Sequence, residues 1–253
     1  MRDIILNEAA KASDLLAGKA KMEDVRSAIS LIARYDIQAA GIKPESAAGH
    51  ARQVVRKLFP QLPPKYVDRY VEYYVAHAAD YPLSKVDGVP ITQTELDAVN
   101  SCAGIRCKCL AFTLLALAKL DTVRHPDVNY WVSGDRWNEI QRRANLTLSE
   151  DDMCYMIHDM YAAGLIGLSE RVDNCSMHVL FADAGGEAVM TLQEADYKDL
   201  GYCFRAYVGE KYIRCGECGR WIKQAANGRK RFCSDCAGAN HNKVALASYH
   251  RHK

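Results

Sequence analysis

Two short cysteine pairs constrain this 253-residue chain more than any other feature: Cys215-Gly216-Glu217-Cys218 and, after a gap of 14 residues, Cys233-Ser234-Asp235-Cys236. Each pair can wrap its backbone around a single ion, and four thiolates satisfy the tetrahedral geometry of a structural zinc site. The intervening chain suggests how the pairs meet. Asn227-Gly228 is a favoured two-residue hairpin turn, flanked by Trp221-Ile222-Lys223 and Lys230-Arg231-Phe232, so a hairpin between those flanks is expected to bring the two knuckles side by side. So small a hairpin has almost no core, and zinc supplies folding free energy on the order of 10 kcal/mol in isolated finger peptides. The expected ligands of one structural Zn2+ are Cys215, Cys218, Cys233 and Cys236. Four ligands leave no open position, so the ion would not activate water. Two weaker readings compete: a redox C-x-x-C, which neither pair's context favours, and replacement of one ligand by His241.

In spacing, in the glycines Gly216 and Gly219 and in the hairpin between the pairs, residues from about 210 to 240 resemble the zinc-ribbon family. The resemblance implies a small metal-clamped β module. Zinc ribbons serve both nucleic-acid binding and protein docking, so the resemblance alone does not choose a partner.

Charge narrows the choice. Residues 205–253 carry 11 Lys and Arg against three acidic residues, a net charge of +8, whereas the first 204 hold 22 basic and 28 acidic residues, a net of −6. An acidic body with a basic tail is the asymmetry expected when one end meets a polyanion. Arg220, Lys223, Arg229, Lys230 and Arg231 surround the expected hairpin, and Lys243 and Arg251 extend the basic character. These seven are the candidate phosphate contacts, with Trp221 and Phe232 placed to stack on bases. The competing reading is a solvated basic face whose aromatics pack the ribbon's own core.

The rest of the chain reads as mainly α, mixed α+β. Met22, Val25, Ile29 and Ile32 form an amphipathic stripe, a second helix is expected over 47–59 before Pro60, and a third opens at Pro64 with Val67, Tyr70, Val71 and Tyr74 on one face. Together they predict a helical domain over 1–83. Ser84 to Pro90 reads as a turn-rich connector, and Thr92 with Glu95 as a capping box. The apolar run Cys109 to Ala118 is far shorter than the ~20 residues a membrane span needs, and reads as a buried helix.

Over 91–183 the expected order is helix, a strand at Tyr130-Trp131-Val132, helix, turn, a helix from Ser149 to Gly164, then strands at 165–168 and 177–181. That order resembles a winged helix, with Met153, Met156, Ile157 and Met160 marking the buried face of the last helix. Glu150, Asp151 and Asp152 stand where a groove-reading helix would meet DNA, so this helix is not expected to read bases. Arg142, Arg143 and Arg171 are the nearby cations. Residues 184–209 read as an acidic connector with a small helix or strand, and 210–253 as the ribbon with its basic tail.

Cys102, Cys107, Cys109, Cys154, Cys175 and Cys203 are expected to be buried small side chains. No secretory signal is visible in MRDIILNEAAKASDLL, which favours a cytoplasmic location and reduced thiols. No phosphate-binding glycine loop, HExxH or G-x-S-x-G is present, so no enzymatic activity is expected. The layout resembles proteins of phages and bacterial mobile elements, which implies transcription control, replication accessory work or inhibition of a host factor. The expectation is a zinc-containing nucleic-acid-binding protein. The alternative is an inhibitor or adaptor whose acidic body engages a protein partner.

Overall fold

A computed structural model describes residues 4–22, 24–170, 175–182, 186–225, 228 and 230–239. The chain is mainly α with small antiparallel sheets, and it divides into two compact units, Met1–Asp87 and Gly88–Lys253.

The first unit is built from α1 (Glu8–Leu16), α2 (Val25–Gln38), α3 (Pro44–Leu58) and α4 (Pro64–Ala76). Prolines open α3 and α4, where their missing N–H costs nothing. Asp24 caps α2 by accepting from the N–H groups of Arg26 and Ser27. Ile29, Ile32, Val55, Val67 and Val71 meet in one core. The sequence reading lacks α1, which Asn7 caps and which adds Ala12 and Leu15 to that core. The first half of the expected connector also belongs here: Ser84 accepts from the Glu8 N–H, and the Val86 N–H donates to Leu6.

The second unit surrounds one buried helix. After β1 (Val89–Thr92), the expected Thr92–Glu95 capping box opens α5 (Gln93–Ser101), and α6 (Gly104–Arg124) follows. Every residue of α6 from Cys109 to Leu120 is buried. A helix apolar all round must be enclosed on every side, and the elements that follow do this. Its one buried cation, Lys119, is held by the buried Glu95 at 2.6 and 2.9 Å. No helix of the described residues is long and apolar enough to cross a membrane.

Next come β2 (Trp131–Val132), α7 (Trp137–Arg143), α8 (Glu150–Ala162), β3 (Ile166–Leu168) and β4 (Met177–Val179). The three strands form an antiparallel sheet in the order β2-β4-β3. Two expectations fail here. Of the four apolar positions assigned to the buried face of α8, only Met160 is buried, while Met153, Met156 and Ile157 stay partly exposed. Arg143, counted among the available cations, is a fully buried strut bound to Glu139 at 2.6 Å and to the Tyr197 carbonyl.

Residues 184–209 are not a connector. Within them β5 (Ala188–Leu192) pairs antiparallel with β1, and α9 (Leu200–Tyr207) lies on α6 with Phe204 against Phe112, ring centres 5.3 Å apart. Tyr197 is fully buried and its hydroxyl donates to the Ala116 carbonyl at 3.2 Å. Close approach demands a glycine at 201, where a Cβ would stand 1.8 Å from the Ala144 carbonyl oxygen. Gly201→Ala should therefore cost about 1–3 kcal/mol of stability, as overpacked sites do, read by denaturant melts of the full chain. An unchanged midpoint would show that α9 can lift off Ala144 without penalty.

Candidate metal centre

The cysteine module starts with β6 (Tyr212–Arg214) and β7 (Trp221–Lys223), paired antiparallel with Ile213 opposite Ile222 and Arg214 opposite Trp221. Sequence reasoning placed Lys230-Arg231-Phe232 opposite Trp221-Ile222-Lys223, and that pairing is not formed. The hairpin instead carries the first cysteine pair in its own turn. The Cys215 N–H donates to Arg220 (2.8 Å) and the Gly219 N–H to Cys215 (3.0 Å), a tight loop that Gly219 closes with φ of 71°. Asn227 lies outside the described residues.

The second pair arrives alongside. The Gly216 N–H donates to the Arg231 carbonyl at 3.0 Å, and residues 234–239 are helical. Cys215, Ile222 and Cys233 form the small buried cluster, with Ile213 and Cys236 against it. The Sγ atoms of Cys215, Cys218, Cys233 and Cys236 lie within 4.8 Å of one another. Backbone N–H groups point at the sulfurs: Cys233 donates to Cys215 Sγ at 3.3 Å and Cys236 to Cys233 Sγ at 3.4 Å. Burial pushes the Cys215 thiol up, but the N–H groups of Cys218, Cys233 and Glu217 outweigh it and draw it down to about 6.

These residues fit a metal. A tetrahedron with metal–sulfur bonds of ~2.3 Å has sulfur–sulfur edges of ~3.8 Å, and Cys218 and Cys233 lie at 3.8 Å. Among the described residues no other group of His, Cys, Asp or Glu stands at metal-holding distance. The remaining cysteines divide: Cys102, Cys107, Cys109 and Cys203 are buried as expected, whereas Cys154 and Cys175 are exposed.

The module is seated on the body by residues that sequence reasoning missed. Asp196 and Asp199 are 1% and 2% exposed, one turn apart beside α9. Asp199 receives Arg220 through two hydrogen bonds of 2.8 and 2.9 Å. Asp196 receives Arg214 and the indole N–H of Trp221, both at 2.7 Å, while the Arg214 guanidinium lies over the Trp221 ring. Tyr212 stacks on Tyr202. Arg220 is thus committed to Asp199 rather than free for phosphate, and Trp221 packs against the body rather than waiting for a base. Lys223, Lys230 and Arg231 are exposed. Arg229, Lys243, Arg251 and His241 lie outside the described residues.

Comparison of the chain with protein-family models, with curated proteins and with solved structures finds no match.

Metal removal should reach beyond the module, because collapse of the hairpin would strip the buried Asp196 and Asp199 of their guanidinium partners and leave each with a single neutral donor, Gln193 N–H and Asn145 respectively, at about 1–3 kcal/mol for each stranded group. A chelator, or Cys215→Ser with Cys233→Ser, should lower the melting temperature of the second unit as well as expose the module to protease. A second unit that melts unchanged without metal would show the two to be independent. Asp199→Ala should separate the effects: metal content stays at one per chain while protease cuts the loosened module faster.

Proposed function

We propose that the protein is a zinc-containing nucleic-acid-binding protein whose C-terminal module is a zinc ribbon making phosphate contacts. Zinc is favoured because four thiolates in a closed tetrahedral set suit it, and because its role here is folding rather than catalysis. The observation that carries the nucleic-acid reading is the sorting of cations on the module. Arg214 and Arg220 turn inward to buried aspartates. Lys223, Lys230 and Arg231 are exposed, without an ion pair among the described residues, and Phe232 is 36% exposed beside them. Unpaired cations with an aromatic on a rigid clamp suit a phosphate backbone and its bases.

The segment from α6 to β4 supports a winged-helix-like reading through its element order and the β2-β4-β3 sheet, in which the first strand pairs with the last. In that frame α8 is the helix that would enter a major groove. Its first turn carries Glu150, Asp151 and Asp152, so nucleic-acid contact is assigned to the ribbon and not to α8. The second reading, a protein-binding adaptor or inhibitor, is favoured by that acidic helix end. A pull-down from the native cell, with and without nuclease, separates the two.

Metal analysis should find one zinc per chain. Each cation on a phosphate releases about one counterion, so Lys223→Ala, Lys230→Ala and Arg231→Ala together should flatten the salt slope of nucleic-acid binding by up to about 3 units, irrespective of sequence. A parent protein that does not bind at moderate salt, or a triple variant that binds as the parent does, would overturn the reading.

A further inference from the structure

An apolar groove of about 560 Å3 lies between α8, the β3–β4 pair and the turn that enters α7. Trp137, Met153, Ile157, Tyr161, Leu168 and Met177 form most of its wall. It exists because α8 is poorly covered: Met160 is its one buried residue among those described, while Tyr161 and Leu168 are 53% and 44% exposed. A monomer rarely leaves so much apolar surface gathered in one place without a use for it.

Three features specify the occupant. The apolar wall calls for large aliphatic side chains. The surroundings are acidic, with Glu170 in the wall and Glu150 and Asp151 exposed in the first turn of α8. Among the described lining residues there is neither Lys nor Arg, Arg171 lying outside the described residues, and the nearby Arg106 is bound to Asp152 at 3.0 Å. The indole N–H of Trp137, itself part of the wall, is buried and has no hydrogen-bond partner among the described residues. A buried donor without an acceptor is costly, and a peptide carbonyl would relieve it.

We propose that this groove docks a basic amphipathic segment of another protein, its aliphatic side chains against Ile157, Met153 and Leu168, its lysines or arginines facing the acidic rim of α8, and a backbone carbonyl accepting from Trp137. Nucleic acid is disfavoured because its phosphates would meet the same carboxylates. A second copy of this chain is disfavoured because a two-fold contact through this face sets one acidic α8 against another. The proposal deepens the protein-binding reading by giving it a surface. Failure of that reading would appear as a nuclease-treated pull-down without protein, whereas failure of the groove appears in the experiment below.

The probe is a synthetic amphipathic Leu/Lys peptide, titrated into the full zinc-loaded chain and followed by anisotropy and by the indole N–H resonances of the three tryptophans. Trp137→Phe assigns its resonance. The peptide should bind and move the Trp137 signal, while a scrambled peptide of the same composition and a Leu/Glu peptide bind at least about tenfold more weakly. Ile157→Asp, at a partly exposed site that should still fold, should weaken binding by about tenfold or more. Should it unfold, Leu168→Asp serves, since that side chain already reaches solvent. The proposal is overturned if the scrambled peptide binds equally, if neither groove variant changes binding, or if sedimentation shows a dimer that Ile157→Asp dissolves.

Discussion

Two carboxylates set the terms for the functional half of this protein. Asp196 and Asp199 are almost completely removed from water, and an ionised carboxylate tolerates that only when paired and hydrogen-bonded. The body gives each one neutral donor, the Gln193 N–H to Asp196 and the Asn145 amide to Asp199. The charged partners Arg214 and Arg220, with the Trp221 indole, come from within or beside the hairpin that carries Cys215 and Cys218. Among the described residues the hairpin has only Ile213 and Ile222 besides cysteines in its core, so its shape rests on the four-cysteine cluster. The chain of dependence therefore runs from the four-cysteine cluster to the hairpin, from hairpin to guanidinium and indole, and from those to the buried aspartates on which α9 begins. A module that looks like an appendage in sequence is part of the second unit's stability.

The same logic extends inward. α6 is apolar on all sides and must be enclosed, and α9 supplies one wall through Phe204 on Phe112 while Tyr197 reaches the Ala116 carbonyl. Asp196 and Asp199 bracket that wall's entry, and Asn145 adds a further tie by donating to Asp199 at 3.0 Å. The cysteine module thus braces the cover of the central helix. This physical arrangement explains why the second unit runs from Gly88 through the cysteine module as one compact body.

What was legible in the sequence follows from how local each signal is. The four cysteines were readable because metal chelation fixes both residue type and spacing, and α6 because an unbroken apolar run admits few alternatives. The capping box at Thr92 and Glu95 is equally local. The strand pairing of the module was misread because Asn227-Gly228 is a strong turn signal, whereas Ile213 opposite Ile222 is a packing preference that only the closed module reveals. Helix α1 escaped because it puts only Ala12 and Leu15 into the core, too few positions to show a period. In residues 188–207 a small helix or strand was expected, but their packing into the body escaped for a related reason: β5 is mostly exposed along one edge and α9 has just eight residues, so the acidic side chains dominate the composition. Periodicity in α8 was real, but a stripe of Met and Ile says that a face wants covering and not that the fold covers it.

That last point bears on how one chain can hold opposite charges at work. The cysteine module's cations are sorted by geometry, with Arg214 and Arg220 neutralised against the body and Lys223, Lys230 and Arg231 left outward. The body's acids are sorted too: Asp196 and Asp199 are spent inside, and Glu150, Asp151 and Asp159 remain on α8. The outward charges of the cysteine module and α8 have opposite sign, and each sits beside apolar surface of its own, Phe232 on one and the α8 groove on the other. Pairing the two sets within the chain would have cancelled them, yet the folded chain uses a different set of cations and acids for its internal contacts. Under the proposed reading, leaving both surfaces unneutralised keeps each open to a partner of opposite charge.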